Sequence, residues 1–396
     1  MYLHRISILN FKNISEASVE FSPKLNCFFG KNGQGKTNLL DAIYLLSFCK
    51  SHHLAIDSQA INHQADFYMV QGNYLIDNKE REFYCGVKRR GRKVFKHDKK
   101  AYEKLSEHIG QIPLVMISPA DEALIREGSE ERRRFMDMAI SQYDNTYMQA
   151  LVAYNNALQQ RNAMLKDESR SYPDDMYEVY EYQMARHASD IYRKRKEFIE
   201  AFTPVFNRFH QEISNSREKV SLSYSSHLEK GDLATLMAEV RERDKILGYS
   251  TRGIHKDDID ILLDDYALKR IGSQGQNKTC LIAMKLAQAD FLRQQSHHAP
   301  ILLLDDLFDK LDENRVESII KLVLQPRFGQ IFITDTQYSH LQDILEAAAA
   351  LTPLEAGSEH RLFYVENGQV ASAAQSSADA SGALPATPGT ERTVDA

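Results

Sequence analysis

Gly30-Lys31-Asn32-Gly33-Gln34-Gly35-Lys36-Thr37 fits the pattern Gly-x-x-x-x-Gly-Lys-Ser/Thr. Its glycines let successive backbone N–H groups turn inward, and a helix starting at its end adds partial positive charge facing an anion. In a loop of this kind Lys36 reaches the β- and γ-phosphates of a nucleoside triphosphate, and the Thr37 hydroxyl ligates Mg²⁺. A second cluster, Asp305-Asp306, ends the apolar run Ile301-Leu302-Leu303-Leu304. There Asp305 is predicted to hold the Mg²⁺ shell beside Thr37, and Asp306 to polarise an attacking water. Each cluster alone has a plainer explanation: a glycine turn with a stray lysine, or solvated acids at a strand end. Occurring together, they predict a triphosphate site in which Lys36 and Asp306 carry the chemistry.

The elements around these residues support that assignment. The apolar run Leu25–Phe29 reads as a strand entering the loop, and Asn38–Leu46 as a helix leaving it. Ile301–Leu304 and Ile331–Ile333 have the texture of buried parallel strands. Alternating runs before residue 29 and between 67 and 97 predict antiparallel strands, and Arg89-Arg90-Gly91-Arg92 reads as the basic tip of a hairpin. Ile112–Ile117 is a further short buried strand. Between 118 and 247 the texture is helical, with Pro173 and Pro204 expected to divide it. Asn277–Ala287 reads as an amphipathic helix whose start, Ser273-Gln274-Gly275-Gln276, is of the kind that ordinarily caps a helix. The expected fold is α/β: residues 1–117 and 248–370 form a nucleotide-binding domain with a mixed sheet and an antiparallel β subdomain. Residues 118–247 form an inserted, mainly helical lobe, and 371–396, poor in large apolar residues, a disordered tail.

The chain has 396 residues, 43% hydrophobic and 26% charged, which is enough for two or three domains with a substantial core. No apolar run approaches the ~20 residues that cross a bilayer, and Met1–Ile6 lacks the apolar segment of a leader. Four scattered cysteines make no C-x-x-C pair, which argues against a disulfide framework or a zinc site. A cytoplasmic location is the expectation. The net charge of −6 conceals a local excess: Lys88 to Lys100 holds eight Lys or Arg and one acid, Asp98. Lys88, Arg89, Arg90, Arg92 and Lys93 are candidate contacts to the phosphates of DNA, without base readout. A solvated hairpin is the plainer alternative. Arg132, Arg133 and Arg134 begin a helix against its dipole, for use on DNA, at the lobe interface, or in salt bridges with Glu130, Glu131 and Asp137.

Ser273-Gln274-Gly275-Gln276, placed before the acidic strand end, resembles the signature motif of ABC-type ATPases, and Asp309-Lys310-Leu311-Asp312 stands at the place of their D-loop. The full set resembles the RecF family, related to SMC and Rad50 heads. It comprises Leu9–Asn13, Gly30–Asn38, Ser129–Asp137, Gln160-Arg161-Asn162, Gly253–Asp258, Ser273–Gln276 and Asp305-Asp306, over roughly residues 1–345. The resemblance implies an ABC-type ATPase head that binds ATP with Mg²⁺ and sandwiches it between two copies, Ser273 and Gly275 of one facing the γ-phosphate held by the other. It further implies a cytoplasmic DNA-binding protein of replication and recombinational repair. Such a protein acts on double-stranded DNA and single-strand/double-strand junctions, supports recombinase loading and the SOS response, and works with mediators of the RecO and RecR type. The chain departs from the pattern at Ile254, Lys256 and Lys278, where the family carries Pro, Arg and Arg. Ser118–Asp121 lacks the Q-loop glutamine, Thr334-Asp335-Thr336 replaces the switch histidine, and His340 stands further along the chain. Weak, DNA-stimulated hydrolysis is therefore expected. The alternatives are a non-catalytic clamp switched by nucleotide and, from another class, a transporter ATPase subunit.

Overall fold

Recurring burial along the first strands, at Leu3, Ile6, Ile8 and Phe11 and then at Ile14 and Val19, sets one face of extended structure on a core. The computed structural model describes residues 1–351, apart from 168, 171, 217, 309 and 310, together with residues 360–372. β1 (Tyr2–Phe11) and β2 (Ile14–Glu20) pair as a hairpin, β3 (Leu25–Phe29) runs into the phosphate loop, and α1 (Lys36–Phe48) leaves it. β4 (Phe67–Ile76), β5 (Lys79–Lys88), β6 (Val94–His97) and β7 (Lys100–Ala101) complete an antiparallel sheet of order β2-β1-β4-β5-β6-β7. β8 (Leu114–Ile117) precedes a helical stretch of α2 (Ala123–Arg126), α3 (Ser129–Ser141), α4 (Asn145–Lys166) and α5 (Asp174–Ser214). β9 (Val220–Ser225), α6 (Leu233–Ala238), α7 (Arg241–Leu247), β10 (Asp258–Leu263), β11 (Tyr266–Ala267) and α8 (Leu268–Ile271) lead to α9 (Gln274–Gln295). β12 (Ile301–Asp305), α10 (Glu313–Val323), β13 (Ile331–Asp335), α11 (Tyr338–Leu351), β14 (Arg361–Glu366) and β15 (Gln369–Ser372) follow.

The central sheet has the order β15-β14-β3-β13-β12-β8 and is parallel except for β15. Both its faces are covered, as a parallel sheet requires. Leu25, Cys27, Val115, Ile117, Leu302, Leu304, Ile331 and Ile333 point into one core with α3, α5 and α9. Phe28, Leu114, Met116, Ile301, Leu303, Phe332 and Phe363 point into the other, shared with α1 and the antiparallel sheet. The mixed sheet and antiparallel subdomain are as expected from the sequence.

Several details differ. Pro204 does not divide the helical region, because α5 continues through it from Asp174 to Ser214. An interior proline costs about 3 kcal/mol or more; here Phe198, Phe202, Phe206 and Phe209, all buried on one side of the helix, outweigh that. α9 is not amphipathic: every residue from Thr279 to Leu292 is buried, since the helix runs between the sheet and α5. β9 pairs with β10 from Val220↔Leu263 to Ser225↔Asp258, so one sheet spans the 247/248 division drawn from texture. Ala371 and Ser372 belong to β15 rather than to a tail, and 373–396 lie outside the described residues, as do Asp309 and Lys310.

Candidate nucleotide site and basic surface

The parallel strands β3, β13 and β12 end on the same sheet edge, the place where α/β sheets bind ligands. β3 delivers the phosphate loop there. Gly30, Gly33 and Gly35 have φ of 155°, 79° and 114°, and a Cβ on Gly30 would lie 2.3 Å from the Val365 carbonyl oxygen. A Cβ on Gly35 would lie 2.9 Å from the Asn13 side chain, which also accepts a hydrogen bond from Asn38 at 2.8 Å. The Leu9–Asn13 motif thus buttresses the loop from the antiparallel sheet, and Lys12 adds an ion pair with the buried Asp41 of α1 at 2.6 Å. Lys36 Nζ donates to the carbonyls of Gly30 (2.6 Å) and Lys31 (3.1 Å). Burial lowers its pKa, opposed by the carboxylates of Asp306, Asp305 and Asp335. These carboxylates favour the charged form that a polyphosphate requires.

Thr37 Oγ1 donates to the Asp305 carboxylate, 2.9 and 3.0 Å from its two oxygens. Thr334, at the end of β13, donates its hydroxyl to Asp305 Oδ1 at 2.7 Å and accepts from the Asp306 backbone N–H at 3.1 Å. The threonine that occupies the place of the expected histidine therefore fixes both acidic residues. Asp306 adopts φ 45°, which turns its side chain away from the line of the strand. Asp305, Asp306, Asp335, Gln337, His340, Asn32, Ser118 and Lys278 line a cavity of about 470 Å³. Asp335 accepts from the Gln337 N–H at 2.8 Å and lies 3.3 Å from His340 Nδ1. α11 thus carries His340 back to the cavity, so distance along the chain was a poor guide to its place.

The Ser273–Gln276 turn and the basic hairpin lie apart from this cavity. Ser273 caps α9, accepting from Gln276 N–H at 3.2 Å while Gln276 Oε1 accepts from the Ser273 N–H at 2.9 Å. It is exposed, and neither it nor Gly275 lines the cavity. The basic hairpin is real, with Cys85 opposite Phe95 and Gly86 opposite Val94. Lys88, Arg89, Arg90 and Arg92 are exposed at its tip. Lys93 is not: its Nζ donates to the Cys49 carbonyl and pairs with Asp57, each at 2.6 Å. Arg132 is a lobe tie rather than a surface cation, held by Asp258 at 2.6 and 3.0 Å.

The wall formed by β14 and β15 was missed. Asn367 N–H donates to Gln34 Oε1 at 2.6 Å and Gly368 N–H to the Gln34 carbonyl at 2.8 Å. The Asn-Gly pair between alternating runs was a legible hairpin signal; its contact with the loop was not.

A family model described as RecF/RecN/SMC N terminal domain matches residues 2–358. A protein named DNA replication and repair protein RecF from Bacteroides fragilis is 54% identical over 371 residues, covering 93% of this chain and 98% of its own. Its namesake from Parabacteroides distasonis is 55% identical over 370 residues, covering 93% and 99%. A solved structure titled as the recombination mediator protein RecF with ATP in the RecFOR pathway superposes with TM-score 0.80 at 29% identity, covering 94% of this chain and 98% of that one. An Smc head bound to the C-winged helix domain of ScpA shares the fold, with TM-score 0.55 at 14% identity over 95% and 98% of the two chains. From motif order to whole-chain superposition, these observations agree that the chain belongs to the RecF family.

Proposed function

We propose that this chain is an ATP-switched DNA-binding protein of replication and recombinational repair, acting in the cytoplasm on duplex DNA and on single-strand/double-strand junctions. ATP closes two copies onto DNA, and slow hydrolysis through Asp306 releases them. Lys36, Thr37 and the inward-facing loop N–H groups hold the phosphates. The Thr37 hydroxyl and Asp305 carboxylate offer the hard oxygen donors that suit Mg²⁺, which when bound would neutralise phosphate charge. The exposed cations at the tip of the β5–β6 hairpin supply contacts to the DNA backbone. Assistance to recombinase loading, a part in the SOS response and work with RecO- and RecR-type mediators follow from the same reading.

One observation carries it: Thr37 and Thr334 both donate to Asp305, which lines the cavity with Asp306 and whose charge acts on Lys36, while Ser273 remains exposed outside that cavity. A signature turn that faces solvent in one copy is available to the nucleotide of another. The test is DNA binding with ATP, ADP or no nucleotide across a salt series. Tighter duplex binding with ATP alone, falling steeply with salt, is expected. Indifference to nucleotide, or an ATP-induced dimer that survives Lys36→Met, would overturn the proposal.

A further inference from the structure

Arg315, in the first turn of α10, joins three segments that are remote in sequence. One arm of its guanidinium donates to the carbonyl of Gly275 at 2.9 Å and to the Thr279 hydroxyl, both on α9. The other arm donates to Glu218 Oε1 at 3.0 Å, just before β9. Nε lies 3.1 Å from Asp312 Oδ2, and Asp312 Oδ1 caps α10 by accepting from the Arg315 N–H at 3.0 Å. The side chain is 19% exposed, and each of its three nitrogens faces at least one acceptor.

The first turn of α9 does not need Arg315 as a cap, because Ser273 and Gln276 already satisfy each other reciprocally. What the guanidinium adds is direction. It fixes the turn bearing Ser273 and Gly275 relative to the segment that follows Asp305-Asp306 and to the base of the helical lobe. We infer that Arg315 is a positioning residue for the two-copy nucleotide site, holding the α9 turn at the angle that meets a partner's γ-phosphate. This rests on the two-copy reading proposed above. A lysine at 315 keeps the charge but cannot reach several acceptors in a planar fork.

The test uses the full chain carrying Arg315→Lys. Binding of a fluorescent ATP analogue is measured at protein concentrations too low for dimers, and ATP-induced dimerisation by sedimentation. The protomer's nucleotide Kd stays within about twofold, while the dimer Kd rises about tenfold or more, as expected for losing charge-assisted contacts. Glu218→Gln, which weakens the same tie from the lobe side, gives a smaller loss of the same kind. Unchanged dimerisation in Arg315→Lys overturns the inference. A parallel loss of nucleotide affinity overturns it too, since that is what a general role in folding would produce. Ser273→Arg separates the two levels. If that variant still dimerises with ATP, the two-copy reading falls and takes this inference with it. If it does not, while Arg315→Lys dimerises normally, only the role of Arg315 is lost.

Discussion

Asp306 and Thr334 sit at the ends of neighbouring strands, and the hydroxyl of one receives the backbone N–H of the other at 3.1 Å. Asp306 lines the cavity, while the Thr37 hydroxyl donates to Asp305. Asp306→Asn is therefore expected to leave ATP-induced dimerisation intact and to slow single-turnover hydrolysis about 100-fold or more. An unchanged rate would remove Asp306 as the water-polarising group. At the hairpin tip, Arg90→Ala with Arg92→Ala should weaken duplex binding and reduce the salt slope by about 2. Lys93→Ala should leave that slope unchanged, because its charge is already paired with Asp57; fluorescence anisotropy over a salt series distinguishes the two. The sequence announced Lys36, Thr37 and Asp305 because their chemistry is set by neighbours within a few residues. It could not separate Lys93 from Arg92, since the carboxylate that claims Lys93 lies on another loop.

Four helices of the lobe, α3, α4, α5 and α7, are tied by buried ion pairs rather than by apolar packing alone. Arg161 on α4, fully buried, contacts Glu181 on α5 and Asp244 on α7, each at 2.8 Å. Arg195 on α5 joins Asp137 on α3 at 2.9 Å and Asp257 before β10 at 2.7 Å. Arg161 of the Gln160–Asn162 motif and Asp257 of the Gly253–Asp258 motif thus serve the fold. Nothing local in the sequence shows this, because every partner is remote along the chain. Removing one partner of a buried ion pair leaves the others uncompensated, so Arg161→Met should destabilise the protein by about 3–5 kcal/mol in urea unfolding. The C-terminal hairpin is held as tightly by shape. Gly368 has φ 77°, and a Cβ there would lie 2.2 Å from the Asn13 carbonyl oxygen. Gly368→Ala should therefore loosen the phosphate loop and weaken nucleotide binding, measurable by titration with a fluorescent analogue. The Asn367-Gly368 turn was visible in sequence, but the parallel pairing of β14 with β3 was not, because it joins opposite ends of the chain.

Across the whole molecule, the central sheet lends one face to each core, so the helical and antiparallel parts are not independent of the nucleotide site. Buried neutral histidines make its stability depend on pH. His255 lies 2.8 Å from the Tyr154 hydroxyl and 3.0 Å from the Ser250 carbonyl, and burial lowers its pKa from 6.5 to about 4. His108, against the Leu46 carbonyl at 2.7 Å, is lowered to about 4 by the same cause. Between these values the unfolded chain binds more protons than the folded one, so this contribution is complete above pH 6.5 and is lost as pH falls toward 4. Each histidine should cost on the order of 2 kcal/mol by pH 5. Urea midpoints between pH 7 and 5 should fall, and less steeply in His255→Gln than in the native chain. The wall of the phosphate loop has a further consequence, during synthesis. A nascent chain that has not yet released β14 from the ribosome lacks both one of the two neighbours of β3 and the turn that holds Gln34. On the function proposed above, nucleotide capture is thereby deferred until nearly the whole described chain has emerged.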